Sequence, residues 1–490
     1  GSASGTMMSQ CFVSMVRNGT VVWEQLYGHN SICTGIMVHR GHDENNDDHA
    51  IYITGHAASA TPNTEFYPFF SSVNDDPIRP SSSSVSAFVM RIDISNGVIG
   101  DDDEAAMTTL RDQVPNGVWL SNDELVRTEY GVQFSTALDI DPHSWDIIVS
   151  SIVSRSTKRS MFDVNKLSGF GPDESFSVVL QRLTSKTLML QWTSNFYAWD
   201  SHDVDVSDVK FAREYVVFAG TTRGTGAALG ANVKGFGDLD GYVTKINAIS
   251  GELEVEWNGN VSVHSYTDSK RINSNPQQDD SIKGLCIVPP TFEVDQTLSK
   301  GSILVVGTTT GILSSEYSGI DNPYQYTTGL ERAYVQKYDL DTLNLLWSRQ
   351  IGDLQAQVNA RVAVFGTSMV CASSHSPDSE VYLTGTTYPT AQIGVQTANG
   401  EIQLSSPTFS HGLFAAKLDE RDGAWIFATS VDVRFLAGGG SSNAYDNAII
   451  LPTIDVDISM DDYGDPGNGN AFVAGSVFFE DSKHADVFVL

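Results

Sequence analysis

Carboxylates cluster on several apolar strands of this chain: "LDID" with Asp139 and Asp141, "HDVDVSD" with Asp203, Asp205 and Asp208, and "IDVDIS" with Asp455 and Asp457. In an extended strand alternate residues share a face. Several such strands around one channel would offer oxygens to a hard cation, and calcium suits that chemistry. A separate segment, "DDYGDPGNGN", sets Asp461 and Asp465 among glycines and asparagines without the spacing of an EF-hand. The competing explanation is turn chemistry, because Asp and Asn bond back to their own loops. "HRGHDENNDDH", His39 to His49, mixes imidazoles with carboxylates but lacks zinc-site spacing, and it reads as a solvated acidic turn. No HExxH, no Walker loop and no G-x-S-x-G elbow occurs. "GTTRGTGAALG", from Gly220, is glycine-rich but opens no helix. The expectation is a non-enzymatic chain with no cofactor beyond calcium.

A second set of residues suits recognition. Long segments rich in Tyr, Phe, Ser, Asn and Gly begin at Ala60, Thr193, Thr309 and Thr386. Rigid aromatic anchors among adaptable polar residues are the composition of binding loops. Phe66, Tyr67, Phe69, Phe70, Phe196, Tyr197, Trp199, Tyr317, Tyr324 and Tyr326 are the expected anchors for a protein or glycan. Folding back as a private core is the competing role for such loops.

Charge narrows the partners further. The net charge is −31 and the sequence pI about 4.5, so a nucleic-acid backbone would be repelled. No apolar run is long enough to cross a membrane. The first ten residues read as a tag or a processed tail, with no signal-peptide core. Asn18 and Asn260 stand in glycosylation sequons, which matter if the chain is secreted. Cys11, Cys33, Cys286 and Cys371 form no CxxC pair. Buried thiols are expected ahead of one or two bridges.

The elements that must position these residues are written as a repeat. A strand closed by glycine recurs as "IYITGH" (Ile51), "YVVFAGTT" (Tyr215), "ILVVGTTT" (Ile303), "VYLTGTT" (Val381) and "AFVAGSV" (Ala471). "IIVSSI" (Ile147) is a copy that has lost the glycine. After a variable loop comes a second strand, such as "GYVTKIN" or "LFAAKLD", then a polar turn and a strand bearing tryptophan. Trp23, Trp119, Trp192, Trp257, Trp347 and Trp425 occupy that slot, six of the eight tryptophans in the chain. An apolar strand precedes each glycine-closed one. The unit is therefore four short strands with a period of roughly 65 to 90 residues, longer than the about 40 to 50 of familiar propeller blades because of its loops.

Four-stranded units repeated about an axis make an all-β fold, a β-propeller. The expected roles are close backbone approach near the axis for the glycine and a wedge between outer strands for the tryptophan. Residues 11–490 are expected to form one propeller of six blades, with seven the alternative. The N-terminal strands would close the ring, and the chain either ends there or continues past Leu490.

"GLFAAKLDERDGAW" with the preceding "VYLTGTT", and "GYVTKINAISGELEVEW" followed by "ILVVGTTT", resemble the bacterial SBBP β-propeller repeat. The strand-turn-Trp half also looks like a quinoprotein repeat and the "YVTG" half like kelch. The SBBP resemblance implies a secreted or surface-exposed module and carries no catalytic motif. Such a module would scaffold or bind a protein or glycan, self-assemble, or serve a surface filament beside further domains. The alternative is a propeller hydrolase or lyase acting on polysaccharide, with carboxylates from different blades about 5 to 9 Å apart. A quinone-dependent dehydrogenase is disfavoured, because no axial cofactor ligands can be picked out.

Overall fold

The computed structural model describes residues 11–17, 20–27, 31–39, 49–58, 85–99, 118–120, 132–154, 176–196, 204–222, 239–252, 255–258, 261–264, 269–272, 280–288, 301–310, 332–353, 364–372, 380–387, 393–397, 400–403, 412–432, 449–457, 470–478 and 485–489. All regular elements among them are strands. Contacts divide the chain into two compact units: 1–216 with 224–228 and 246–253, and 217–223 with 229–245 and 254–490.

The four-strand repeat of the sequence folds as antiparallel propeller blades. Blade 1 is Ser31–His39, Ala50–Ala58, Val85–Asp93 and the short Val118–Leu120. Blade 2 is Val132–Ile140, Ile147–Ser154, Phe176–Leu183 and Leu190–Phe196. One parallel bridge, Val85 to Val132, joins their sheets. Blade 3 is Asp208–Ala212, Tyr215–Thr222, Asp240–Asn247 and Ser269–Ile272. Blade 4 is Asp280–Val288, Ser302–Thr309, Arg332–Asp339 and Leu345–Asp353. Blade 5 is Val364–Ala372, Glu380–Thr387, Gly412–Asp419 and Trp425–Asp432. Ile449–Asp457, Asn470–Phe478 and Ala485–Val489 form a three-stranded sheet, and Cys11–Arg17 with Thr20–Tyr27 a two-stranded ribbon.

The recurring glycine has a different cause from the expected one. The innermost strand of four blades carries a bulge, between Cys33 and Gly35, Ser135 and Ala137, Ile282 and Gly284, and Gly366 and Ser368. The register residue opposite is Gly55, Ser151, Gly307 and Gly385 in turn. A Cβ on Gly55 would collide with the carbonyl oxygen of Ile32, and one on Gly307 with that of Ser281. The close approach is thus inside each blade, where the bulge tips a carbonyl inward.

A six-residue turn follows the third strand in five blades: Asp93–Val98, Thr184–Met189, Asn247–Glu252, Asp339–Asn344 and Asp419–Ala424. In each, the fifth N–H donates to the first carbonyl and the first N–H to the sixth carbonyl, at 2.8–3.0 Å. The fifth residue has positive φ: Gly97, Leu188, Gly251, Leu343 and Gly423. The opening Asp or Asn accepts a backbone N–H within the turn in four of the five. That leaves the second residue's carbonyl pointing outward, and the preceding strands always supply its donor. Trp23 Nε1 reaches Ile94 O at 2.9 Å. Tyr52 Oη reaches Ser185 O at 3.1 Å. Arg182 and Trp192 both reach Ala248 O, at 2.5 and 3.1 Å. Lys245 reaches Leu340 O at 3.4 Å. Lys337 and Trp347 both reach Glu420 O, at 3.2 and 3.0 Å.

The tryptophan slot is therefore real but narrower than the sequence suggests. Trp23, Trp192 and Trp347 lie over Gly97, Gly251 and Gly423, where an added Cβ would come within 2.6–2.8 Å of the indole. Trp425 pairs with Leu418, the register place that Leu345 holds opposite Tyr338, two residues short of the slot. Trp257 lies on Val255–Asn258, which pairs with Val261–His264 as a separate hairpin, and Ser269–Ile272 takes the fourth place in blade 3. Trp119 pairs with Val89 on the short fourth strand of blade 1.

The expectation of buried thiols is overturned. Cys11 and Cys33 form a disulfide with Cα atoms 5.2 Å apart, tying the ribbon to the innermost strand of blade 1. Cys286 is disulfide-bonded too. Spacing could not reveal this, because the ribbon must first dock through Val13, Trp23 and Tyr27 on Ile51, Phe88 and Ile92.

Two outcomes check this account. Cys33→Ser should cost about 3 kcal/mol in chemical denaturation, the loop-closure value for a bridge of this span. Gly423→Ala should cost about 2 kcal/mol through positive φ and the clash with Trp347. The clash part of that cost should vanish when the same change is made on Trp347→Ala, leaving the positive-φ part, measured as a double-mutant cycle.

Candidate functional site

Alternation does not carry Asp139 and Asp141 to one place, because the strand ends between them. Asp139 is buried on the innermost strand of blade 2, and its Oδ2 accepts the N–H of Phe211 at 2.7 Å. Lys210, beside that N–H, pairs with Asp208 Oδ1 at 3.2 Å. Burial pushes the Asp139 carboxyl up to about 6, against the pull of Lys210. Burial also works against the Lys210 charge, but the Asp208 and Asp139 carboxylates hold its pKa above the ordinary value.

Asp141 instead opens a turn of the same six-residue form, Asp141–Asp146, between the first two strands of blade 2. It accepts the His143 N–H and the Ser144 hydroxyl. Arg182, itself buried, spans Asp141 at 3.3 Å and Asp146 at 2.7 Å. Asp139 is thus engaged by the backbone of blade 3 and Asp141 by Arg182 within blade 2.

Asp205 is buried just before the innermost strand of blade 3. Asp455 and Asp457 lie on Ile449–Asp457, opposite Phe472 and Asn470 in register. Asp203, Asp461 and Asp465 lie outside the described residues, as do Asn18 and Asn260. Among the described residues no three His, Cys, Asp or Glu side chains converge as a cation cage.

Of the aromatic anchors, Phe196 is a correction. It ends the strand Leu190–Phe196 and is buried rather than displayed, because the strand runs longer than its polar flanks suggested. Phe66, Tyr67, Phe69, Phe70, Tyr197, Trp199, Tyr317, Tyr324 and Tyr326 lie outside the described residues. Part of the segment from Thr386 folds as a hairpin, Ile393–Thr397 with Gly400–Gln403. Its first strand pairs with Gly352 and Asp353 and so covers an edge of blade 4.

Two carboxylates escaped the sequence reading. Asp240 opens the third strand of blade 3 and Asp280 the innermost strand of blade 4, and both are fully buried. The Asp280 N–H donates to Leu239 O at 2.8 Å, so the two strand starts lie side by side. Burial, then the Asp280 carboxylate, hold the Tyr334 hydroxyl well above its ordinary pKa. The signal in the sequence was an Asp at the head of each strand, with Asp238 two residues before Asp240.

No family model and no curated protein matches this chain. Solved structures give distant likenesses. A Synechocystis apocarotenoid oxygenase variant is 13% identical over 82% of this chain, at a TM-score of 0.32, and the chain spans 64% of that protein's length. A thermostable family-43 glycoside hydrolase is 9% identical, with 74% of this chain and 90% of that one covered, at 0.30. A B. megaterium levansucrase variant is 8% identical, with 81% and 85% covered, at 0.29. The blade architecture rests on the strand pairing described above.

Asp139 provides a pH test. Its folded pKa lies above the unfolded value, so its contribution is complete in acid and is lost as pH rises through about 6. Asp139→Asn should therefore gain on the parent protein between pH 4 and pH 7.5, by up to about 3 kcal/mol. Urea titrations at a series of pH values measure the difference; a flat difference contradicts the burial account.

Proposed function

We propose that the chain is a non-catalytic, extracellular or cell-surface propeller module that scaffolds or binds a protein or glycan through its long inter-strand connections. The observation that carries the reading is the use made of the innermost-strand carboxylates. Asp139 serves the backbone of blade 3, Asp208 serves Lys210, and Asp141 serves Arg182. Carboxylates already engaged by a backbone N–H or a paired cation are poor candidates for chemistry on a substrate. The connections between strands are left to recognise partners.

Two further features support the location. The disulfides suit an oxidising compartment. The strongly acidic composition suits a soluble surface in contact with salt and cations. The likeness of "GLFAAKLDERDGAW" and "VYLTGTT" to the SBBP repeat points the same way. A structural place in a surface filament is the form of this reading that would need self-association. Calcium held by carboxylates of the connecting segments would be its one inorganic partner.

The second reading, a hydrolase or lyase of polysaccharide, is favoured by Asp240 and Asp280, two carboxylates at the adjoining strand starts of successive blades. Both are fully buried, which fits a structural pair better than groups open to a sugar chain.

The two readings separate in one experiment. The purified chain is incubated with a panel of polysaccharides, with and without calcium, and both retention and reducing-end release are followed. Retention or partner binding with no release is the expected result. Release that is lost in both Asp240→Asn and Asp280→Asn would sink the module reading and establish the enzyme.

A further inference from the structure

Blade 2 is where the glycine rule breaks. The residue facing the bulge is Ser151 in place of the glycine found at 55, 307 and 385, and its register partner is Ser135. The substitution is not isolated. Where blades 1 and 2 meet near it, Thr54, His56, Gln133, Ser135, Ser151 and Gln181 are all at most 2% exposed. The contact between blades 4 and 5 is built instead from Cys286, Leu304, Val335, Leu383, Phe414 and Leu418. Further along the blade 1–2 seam the lining is also apolar, with Tyr52, Val89, Leu138, Val149 and Leu183. This polar stretch thus occupies one end of the blade 1–2 seam.

Most of these groups satisfy one another. The Thr54 hydroxyl bonds that of Ser135 and donates to Phe88 O at 2.9 Å. The Gln133 amide donates to Gln181 Oε1 at 3.1 Å. Ser151 and Gln133 each keep one atom outside these bonds. Ser151 Oγ and Gln133 Oε1 are buried and have no hydrogen-bond partner. Buried polar atoms are seldom left in that state, and a bound water or ligand is a common reason when they are.

The register brings the two together. Ser135 faces Ser151 and Gln133 faces Val153, so Gln133 and Ser151 are diagonal neighbours on one face of the sheet. Diagonal neighbours stand roughly 7 Å apart, within reach of a long side chain and one bridging atom. Gln133 Oε1 only accepts, whereas a serine hydroxyl both donates and accepts. The bridging group must therefore donate to one and exchange a bond with the other.

We propose that this end of the blade 1–2 seam is a binding site for a single hydroxyl oxygen, held between Ser151 Oγ and Gln133 Oε1. The lining suits an uncharged ligand, since none of the six residues carries a carboxylate, guanidinium or ammonium group and His56 is the one titratable side chain among them. A water molecule and one hydroxyl of a small uncharged polyol share the required chemistry. The site is separate from the partner-binding connections and does not depend on the module reading.

The test uses the full chain and its Ser151→Ala variant. A high-resolution crystal structure of the parent should show one ordered oxygen about 3 Å from both atoms, absent from the variant. The variant's thermal midpoint should fall by about 2–4 °C, because Gln133 Oε1 loses the bridge. Calorimetric titration with glycerol distinguishes the sources. Heat seen with the parent and lost in the variant assigns the oxygen to a polyol; no heat with the oxygen still present assigns it to water. A dry seam, together with a variant as stable as the parent or more so, overturns the proposal.

Discussion

The blades are held in sequence by one backbone carbonyl per turn. The six-residue turn closes on itself through its first, fifth and sixth residues, and that closure leaves the second carbonyl without an internal donor. The carbonyl faces the preceding strands, where water is excluded, so it must be paired or costs roughly 1–3 kcal/mol. Five turns meet the requirement with different donors: an indole, a phenol, a guanidinium and ammonium groups. The constraint fixes the place of the donor and leaves its identity open. The fifth residue then follows from the choice. Where an indole lies flat on the turn the residue is glycine, as at 97, 251 and 423. Where other donors serve, Leu188 and Leu343 take the positive φ and bury their side chains instead.

This explains how much of the fold could be read from the sequence. Glycine-closed strands and Asp-headed turns were legible because backbone geometry permits few other residues there. The tryptophan slot was legible only in part, because tryptophan is one of several solutions to a requirement set by a carbonyl. Trp425 and Trp257 look like members of the series in spacing and are not members in register. The glycine was found for the wrong reason. Its partner is a bulge, and a bulge adds a residue without changing the apolar pattern that reveals a strand.

The carboxylates show the complementary failure. Alternation predicts Asp139 and Asp141 on one face of one strand, but the strand ends at Ile140 and the chain turns at Asp141, which breaks the period on which the inference stood. What decides their chemistry is the cation each meets. Lys210 lies 71 residues beyond Asp139, and Arg182 lies 41 residues beyond Asp141. Asp240 and Asp280 were missed for the same reason, since only the hydrogen bond between their strand starts makes them neighbours. Cys11 and Cys33 belong here as well: 22 residues of separation fit a bridge or two thiols equally, until docking of the ribbon decides.

A propeller that locks its blades through backbone carbonyls can afford seams of different character. The blade 4–5 seam is apolar, with Trp347 also covered by Arg349, whose Nε donates to Gly423 O at 3.0 Å. The blade 1–2 seam gives up part of its apolar contact for hydroxyl and amide groups, although Tyr52 still supplies the lock at Ser185. Apolar contact stabilises by area and tolerates little change in shape, whereas hydrogen-bonded contact depends on every group finding a partner. The lock therefore sets the order of blades, and the seam chemistry sets how readily each pair separates. In a fold whose regular surfaces are committed to one another in this way, variation in function falls to the segments between strands, where length and composition are free of both constraints.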